Sequence, residues 1–249
     1  MNEALLKETT LEGRFDQASA LMAAFGFTSV IYDYSPVPTA HDGGLITPSV
    51  LRFRNVPESM SELWNRGGYY QIDPVQHAAM EVTAPFVWSY DGRQSSVMDR
   101  VLNKAHDPVV RYLKDTRMTC GVTVPIHPAG GGLATFTGIR IDPEKGFDRD
   151  AESRLADIGL LGNLFHDSIF TLFSDRERRC THIRITDKER ECLQLSAEGL
   201  TAKEIAHRLD RSIATVTLHM NSAARKLGAR NRFQAVARAA HYRLLEGHC

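Results

Sequence analysis

The chain lacks the sequence carriers of most common chemistries. It has no GxGxxG or Walker loop, no GxSxG elbow and no HExxH pair, which argues against nucleotide-dependent, serine-hydrolase and zinc-peptidase functions. No apolar run reaches the roughly eighteen residues of a membrane span, and no charged-then-apolar leader opens the chain. A cytoplasmic protein without membrane attachment is expected. The four cysteines, Cys120, Cys180, Cys192 and Cys249, are scattered, with no CxxC and no histidine spacing that completes a zinc site. They read as free thiols in a reducing compartment, and neither metal nor cofactor is expected. The ten histidines are dispersed and most read as surface residues. Internal repeats are absent. So are the acidic cluster and the alternating βα pattern that a phosphorylatable receiver domain needs.

Formal net charge is also absent, but only on average: thirty Lys plus Arg face thirty Asp plus Glu over 249 residues. From Arg176 onward there are fifteen basic and eight acidic residues, so the tail is positive and the first 175 residues are correspondingly negative. Cations confined to one module are the footprint of a phosphate-binding surface. Length and a 43% hydrophobic content allow two modest domains, each with its own core. The charge-dense SDRERRCTHIR, residues 174–184, reads as the linker between a domain at 1–173 and another at 185–249.

The second domain reads as helices throughout. Thr186 with Glu189 forms a capping box, so a helix starts there; Cys192, Leu193 and Leu195 supply its buried stripe, and Gly199 the left-handed exit. Thr201 with Glu204 starts the next helix, whose Ile205, Ala206 and Leu209 face inward, and Asp210-Arg211-Ser212 makes a tight turn. Ser212 then caps a third helix running to about Leu227, with Val216, Met220, Ala223 and Leu227 at helical spacing. Its other side carries Thr215, Thr217, His219, Asn221 and Arg225. Two short helices across a tight turn, the second with a small polar face, form a DNA-reading helix-turn-helix or an ordinary helical hairpin. The local excess of cations favours the first.

Residues 1–173 read as an α+β domain, an α/β/α sandwich. Strands are expected in TSVIYDYSP and SVLRFRNVP, and in GVTVPIHP and GLATFTGIRID around a turn at Gly130-Gly131-Gly132. Residues 11–25 form an opening helix, and Asp148 to Phe173 one long amphipathic helix. Asp73-Pro74 ahead of VQHAAMEV reads as a helix cap followed by Pro at the first helical position. Met60, Trp64 and Trp88 read as plain core.

Thr186 to Leu245 resembles the C-terminal domain of the LuxR family of transcriptional regulators. Glu189, Leu193 and Gly199 fall on its signature positions, and GLTAKEIAHRLDRSIATV and RKLGARNRFQAVA follow its pattern. The resemblance implies an all-α four-helix domain in which Thr217 and Asn221 face base edges, while Arg211, Lys226, Arg230 and Arg232 contact phosphates. Residues 10–172 are similar to the family's autoinducer-binding domain, with Asp73-Pro74 and Trp88 on motif positions. There the aspartate accepts a hydrogen bond from the ligand amide. A carboxylate walled in by indoles needs such a donor, and one oxygen could cap the helix while the other holds ligand.

The departures narrow the ligand. Family members that bind lactones carry a tryptophan, donating to the lactone carbonyl, where this chain has Met60, and a tyrosine where it has Trp64. Leaving that carbonyl unpaired costs roughly 1–3 kcal/mol, about ten- to a hundredfold in affinity. Val56 stands where some members place a tyrosine hydroxyl and Arg117 where glycine is usual, whereas Thr137 keeps a polar group on a ligand-facing strand position. The Met-for-Trp and Trp-for-Tyr pair resembles the LuxR solos of plant-associated bacteria, which implies a plant-derived molecule bearing an amide or amine.

Three functions follow: a regulator responding to such a molecule, a regulator responding to an acyl-homoserine lactone, and an amidohydrolase using Asp73. The last lacks a partner residue or metal cluster. For a regulator, binding would stabilise a loose sensor by mass action. Sensors would then pair through the 148–173 helix, and the DNA-binding domains through the last helix, Phe233 to Leu244. Such a homodimer implies a palindromic operator.

Overall fold

The computed structural model describes residues 2–90, 97–129, 131–141, 147–180 and 182–245, without the side chains of residues 2, 4, 147 and 148. Gly130 and Cys249 lie outside them. By contacts the chain divides into two units, residues 1–38 with 44–178, and residues 39–43 with 179–249.

In the first unit, α1 (Asn2–Leu6) and α2 (Leu11–Ala24) precede β1 (Ser29–Ser35) and β2 (Val50–Arg54). Next come α3 (Glu58–Asn65), a 3-10 turn at Tyr70–Ile72, α4 (Pro74–Glu81) and β3 (Phe86–Ser89). Beyond these lie α5 (Met98–Val101), a 3-10 turn at Lys104–His106, α6 (Asp107–Asp115), β4 (Cys120–Ile126) and β5 (Leu133–Arg140). α7 (Phe147–Ser153) and α8 (Leu155–Phe170) complete the unit. The strands form one antiparallel sheet in the order β2-β1-β5-β4-β3.

Every residue of β1 and β4 is buried, so the middle of the sheet is covered on both faces. Side chains alternate across a strand. Val30, Tyr32, Tyr34, Val122, Val124 and Phe136 therefore pack with Phe15, Met22, Leu161 and Phe165 of α2 and α8. Ile31, Trp88 and Ile139 turn the other way, toward Met60, Trp64, Tyr70, Val75, Val109 and Leu113. This is the expected α/β/α sandwich, with the second layer of helices covering the site.

The expected helix from Asp148 to Phe173 is two helices. The amide of Arg154 closes a tight i to i−3 bond on Ala151 O (3.1 Å), which separates α7 from α8, and α8 stops at Phe170. Beyond it, Arg178 donates to the carbonyls of Phe170, Thr171 and Phe173.

The second unit holds α9 (Asp187–Ala197), α10 (Ala202–Arg208), α11 (Ile213–Lys226) and α12 (Arg232–His241). Thr186 and Thr201 form capping boxes with Glu189 and Glu204, and Ser212 and Asn231 cap α11 and α12. Gly199 turns out of α9 at φ 94° and Asp210 makes the turn at φ 50°. α12 stops before Leu244 because Arg243 adopts φ 53°, letting the Leu244 amide donate back to Ala239 O (2.9 Å).

Candidate functional site

The Asp73 carboxylate is buried at the start of α4 and both its oxygens are engaged. Oδ1 accepts the Val75 amide (2.9 Å) as an N-cap, and Oδ2 accepts the Trp64 indole N–H (2.8 Å). Burial pushes its pKa up, against the pull of the Trp64 and Val75 hydrogen bonds. Around it lies a small cavity, about 20 Å³, lined by Met60, Trp64, Asp73, Trp88 and Thr137 with Ile31, Leu51, Val75, Gln76, Leu113 and Ile139. Five residues singled out in the sequence thus converge on one space. Val56 is half-buried against the same core but is not in the lining. Met60, Trp64 and Trp88 are also core residues, at 1%, 2% and 1% exposure, so the two readings of them coincide.

The floor of the cavity is a polar chain on the sheet. Trp88 Nε1 donates to Thr123 Oγ1 (3.0 Å), which pairs with Thr137 Oγ1 (2.9 Å) across the β4–β5 register. The Trp88 ring lies against β4 because residue 121 is glycine: a Cβ there would stand 2.6 Å from the indole and 2.5 Å from Gly138 O.

Sequence reasoning missed two features here. Asp33, on the inward face of β1, is fully buried and accepts from Tyr70 OH (2.9 Å), Gln76 Nε2 (2.9 Å) and Thr135 Oγ1. Burial raises its pKa to about 7 against those hydrogen bonds, with the charge of Asp73 adding to the rise. The one signal was an acid within an otherwise uncharged strand-forming run, SVIYDYS. The second feature is a histidine pair. The Asn103 amide donates to His106 Nδ1 (3.1 Å), so the His106 proton sits on Nε2 and faces His77 Nδ1 (2.9 Å), and His77 Nε2 donates to Gln71 O (3.1 Å). Burial, and then the charge of His77, lower the His106 pKa. His106 and His166 are thus buried rather than surface residues, because each has a ring nitrogen bonded inside the fold.

Arg117 adopts the left-handed backbone conformation that favours glycine. It terminates α6 at φ 60°, with Arg117 N bonded to Lys114 O (3.0 Å) and Met118 N to Leu113 O (2.8 Å).

In the second unit, α11 exposes Ala214, Thr217, Leu218, Asn221 and Arg225, one stripe at helical spacing. Leu218, 67% exposed, was not singled out in the sequence, where a leucine reads as core. Thr215 and His219 are half-buried beside the stripe, and the Thr215 hydroxyl pairs with the Ser212 cap (2.9 Å). Arg211 and Arg230 are exposed. Lys226 and Arg232 have internal partners: Lys226 Nζ meets Glu189 Oε2 (2.7 Å), and Arg232 donates to Ser196 Oγ (3.0 Å) and Leu200 O (2.6 Å). Burial alone would raise the Glu189 carboxyl, but Lys226, the Thr186 amide and Ser222 bring it to about 2.

Among the described residues no cluster of three His, Cys, Asp or Glu side chains suits a metal, Cys120, Cys180 and Cys192 form no disulfide, and no helix is long and apolar enough to cross a membrane.

A sheet-and-helix unit with a pocket, followed by a capped four-helix unit presenting a polar helix face, defines a two-domain transcriptional regulator. The chain matches the autoinducer binding domain family over residues 10–169 and the bacterial regulatory proteins, luxR family, over residues 184–239. It belongs to the LuxR family of ligand-binding transcriptional regulators. It is 29% identical over 238 residues to the transcriptional activator protein BjaR1 of Bradyrhizobium diazoefficiens, covering 92% of this chain and 89% of that protein. It is also 29% identical over 237 residues to the quorum sensing-dependent transcriptional regulator RpaR of Rhodopseudomonas palustris, covering 94% and 88%. The structure of Escherichia coli SdiA is similar at TM-score 0.57 and 19% identity, over 98% of this chain and 95% of that one. The family and these relatives are regulators, not enzymes.

Proposed function

We propose that the chain is a dimeric, ligand-responsive DNA-binding regulator whose sensor takes a plant-derived small molecule bearing an amide or amine. The observation that supports this reading is Asp73. It is buried, it spends one oxygen on the α4 cap, and its other oxygen accepts an indole N–H from Trp64, as it would an N–H of a ligand. A carboxylate oxygen has a second lone pair, so a ligand donor can join or replace the indole. Met60 leaves the cavity without a donor for a lactone carbonyl at that position, which weighs against an acyl-homoserine lactone. At about 20 Å³ the cavity holds no more than about one water, so a ligand must widen it, and binding and sensor repacking are one event.

On the DNA side, Thr217 and Asn221, with Thr215 and His219 flanking them, would read bases in the major groove, while Arg211 and Arg230 contact phosphates. Lys226 would hold α11 against α9 and Arg232 would hold the start of α12 against the end of α9, each with donors to spare for a phosphate. Phe233, 78% exposed on α12, suits a contact between two DNA-binding domains on a palindromic operator.

Thermal unfolding of the purified protein against acyl-homoserine lactones and against amide- and amine-bearing plant metabolites tests the ligand class. The expected result is a rise in Tm with members of the plant set only. A rise with lactones alone would make the chain a quorum sensor that tolerates Met60 and Trp64.

A further inference from the structure

Two buried side-chain polar atoms lack a hydrogen-bond partner among the described residues: the Tyr90 hydroxyl and Arg190 Nε. The Arg190 guanidinium meets Asp187 through Nη1 (3.4 Å). Tyr90 has no such outlet. It follows β3, is 6% exposed, and packs its ring 5.4 Å from that of Trp88 in the cluster that holds Met60 and Trp64. Phenylalanine would fill the same space without burying an unpaired hydroxyl, so the hydroxyl costs stability in the ligand-free fold. Burial, and then the charge of Asp73, push the phenol well above its ordinary pKa, so it stays protonated and able to donate.

Most of the other donors of the site are engaged, one hydroxyl proton of the Thr123–Thr137 pair excepted. Trp64 donates to Asp73, Trp88 to Thr123, Thr123 and Thr137 pair, and Gln76 donates to Asp33. We propose that Tyr90 is a second ligand-recognition residue, its hydroxyl donating to the carbonyl of a secondary amide whose N–H is accepted by Asp73. A secondary amide carries one donor and one acceptor, and this pair of residues offers the complementary acceptor and donor. Tyr90 lies outside the lining of the cavity as it stands, so the hydroxyl is reached only when the ligand widens that space. The inference rests on the reading of Asp73 as the ligand's acceptor and extends it from one hydrogen bond to two.

The test uses three probes of similar length: N-butylhexanamide, butyl hexanoate, which keeps the carbonyl without the N–H, and N-butylhexylamine, which keeps the N–H without the carbonyl. Binding to the full-length parent and to Tyr90→Phe is read by quenching of Trp64 and Trp88 fluorescence and by Tm. The parent should bind the amide and the amine in preference to the ester. Tyr90→Phe should melt higher than the parent without ligand, lose about tenfold in affinity for the amide and keep its affinity for the amine. A ligand-free Tm that falls in Tyr90→Phe shows the hydroxyl holding the fold and overturns the inference. Equal amide binding by parent and variant overturns it while leaving the Asp73 reading intact. A parent that ignores both amide and amine brings down the Asp73 reading and this inference with it.

Discussion

Asp73 and Asp33 share one side of the sheet, both buried, yet they are held in different ways. Asp73 accepts a backbone amide and an indole at a helix start, whereas Asp33 sits in a strand among three neutral donors. The folded Asp33 titrates at about 7, above the unfolded value of about 3.9, so the folded state keeps a proton that the unfolded chain has lost. Its contribution to stability is therefore greatest below about pH 4 and declines as pH rises through 7. Asp33→Asn should remove that decline: the Tm of the variant relative to the parent should rise between about pH 5 and pH 8. Parallel pH profiles would show that Asp33 does not titrate in this range. Asp73 was legible in the sequence because Asp-Pro before an apolar-periodic run has a local meaning. Asp33 was not, because what buries and satisfies it is a register, Asp33 opposite Thr135, and a turn that brings Tyr70 and Gln76 over the strand. The His77–His106 pair is hidden in the same way, joining residues 29 apart.

Local signals predicted the elements well and their ends less well. The capping boxes at Thr186 and Thr201 and the exit at Gly199 are written in three or four adjacent residues, and α9 starts and stops, and α10 starts, where those residues dictate. Arg154 and Arg243 break or end helices through backbone geometry that an arginine does not advertise. Arg117 does the same at a left-handed position that costs a non-glycine residue about 1–2 kcal/mol. On α11 the helical period predicted a polar side. It could not separate the cations that face solvent from those spent on neighbouring helices. Glu189 is almost completely buried and ties α9 to Ser222 and Lys226 of α11. Lys226→Met should therefore destabilise the DNA-binding domain by about 2 kcal/mol and weaken DNA binding through that loss. Arg211→Ala should leave stability within about 0.5 kcal/mol, yet weaken binding to all sequences and flatten its salt dependence. Melting curves beside a salt titration of DNA binding separate the two. Equal effects on stability would contradict the assignment of Lys226 to the fold.

For the whole molecule, the charge split, with fifteen of the thirty basic residues after residue 175, combined with the helical pattern of the tail to suggest a sensor and a cationic reader. Strand alternation and the covered sheet followed from composition and pattern. The ligand class did not, because it depends on which side chains converge in three dimensions: Trp64 and Asp73 are nine residues apart in sequence and bonded in the fold, while Tyr90 announced nothing until its hydroxyl proved unpaired. The central claim is that occupancy of the Asp73 site governs DNA binding. Its most direct measurement is the affinity of the full-length protein for a palindromic DNA selected from a random pool, with and without a small molecule that raises its Tm, in the parent and in Asp73→Asn. The account predicts that the molecule tightens binding by the parent and leaves the still-folded Asp73→Asn unresponsive. An equal ligand response in the two proteins would contradict it.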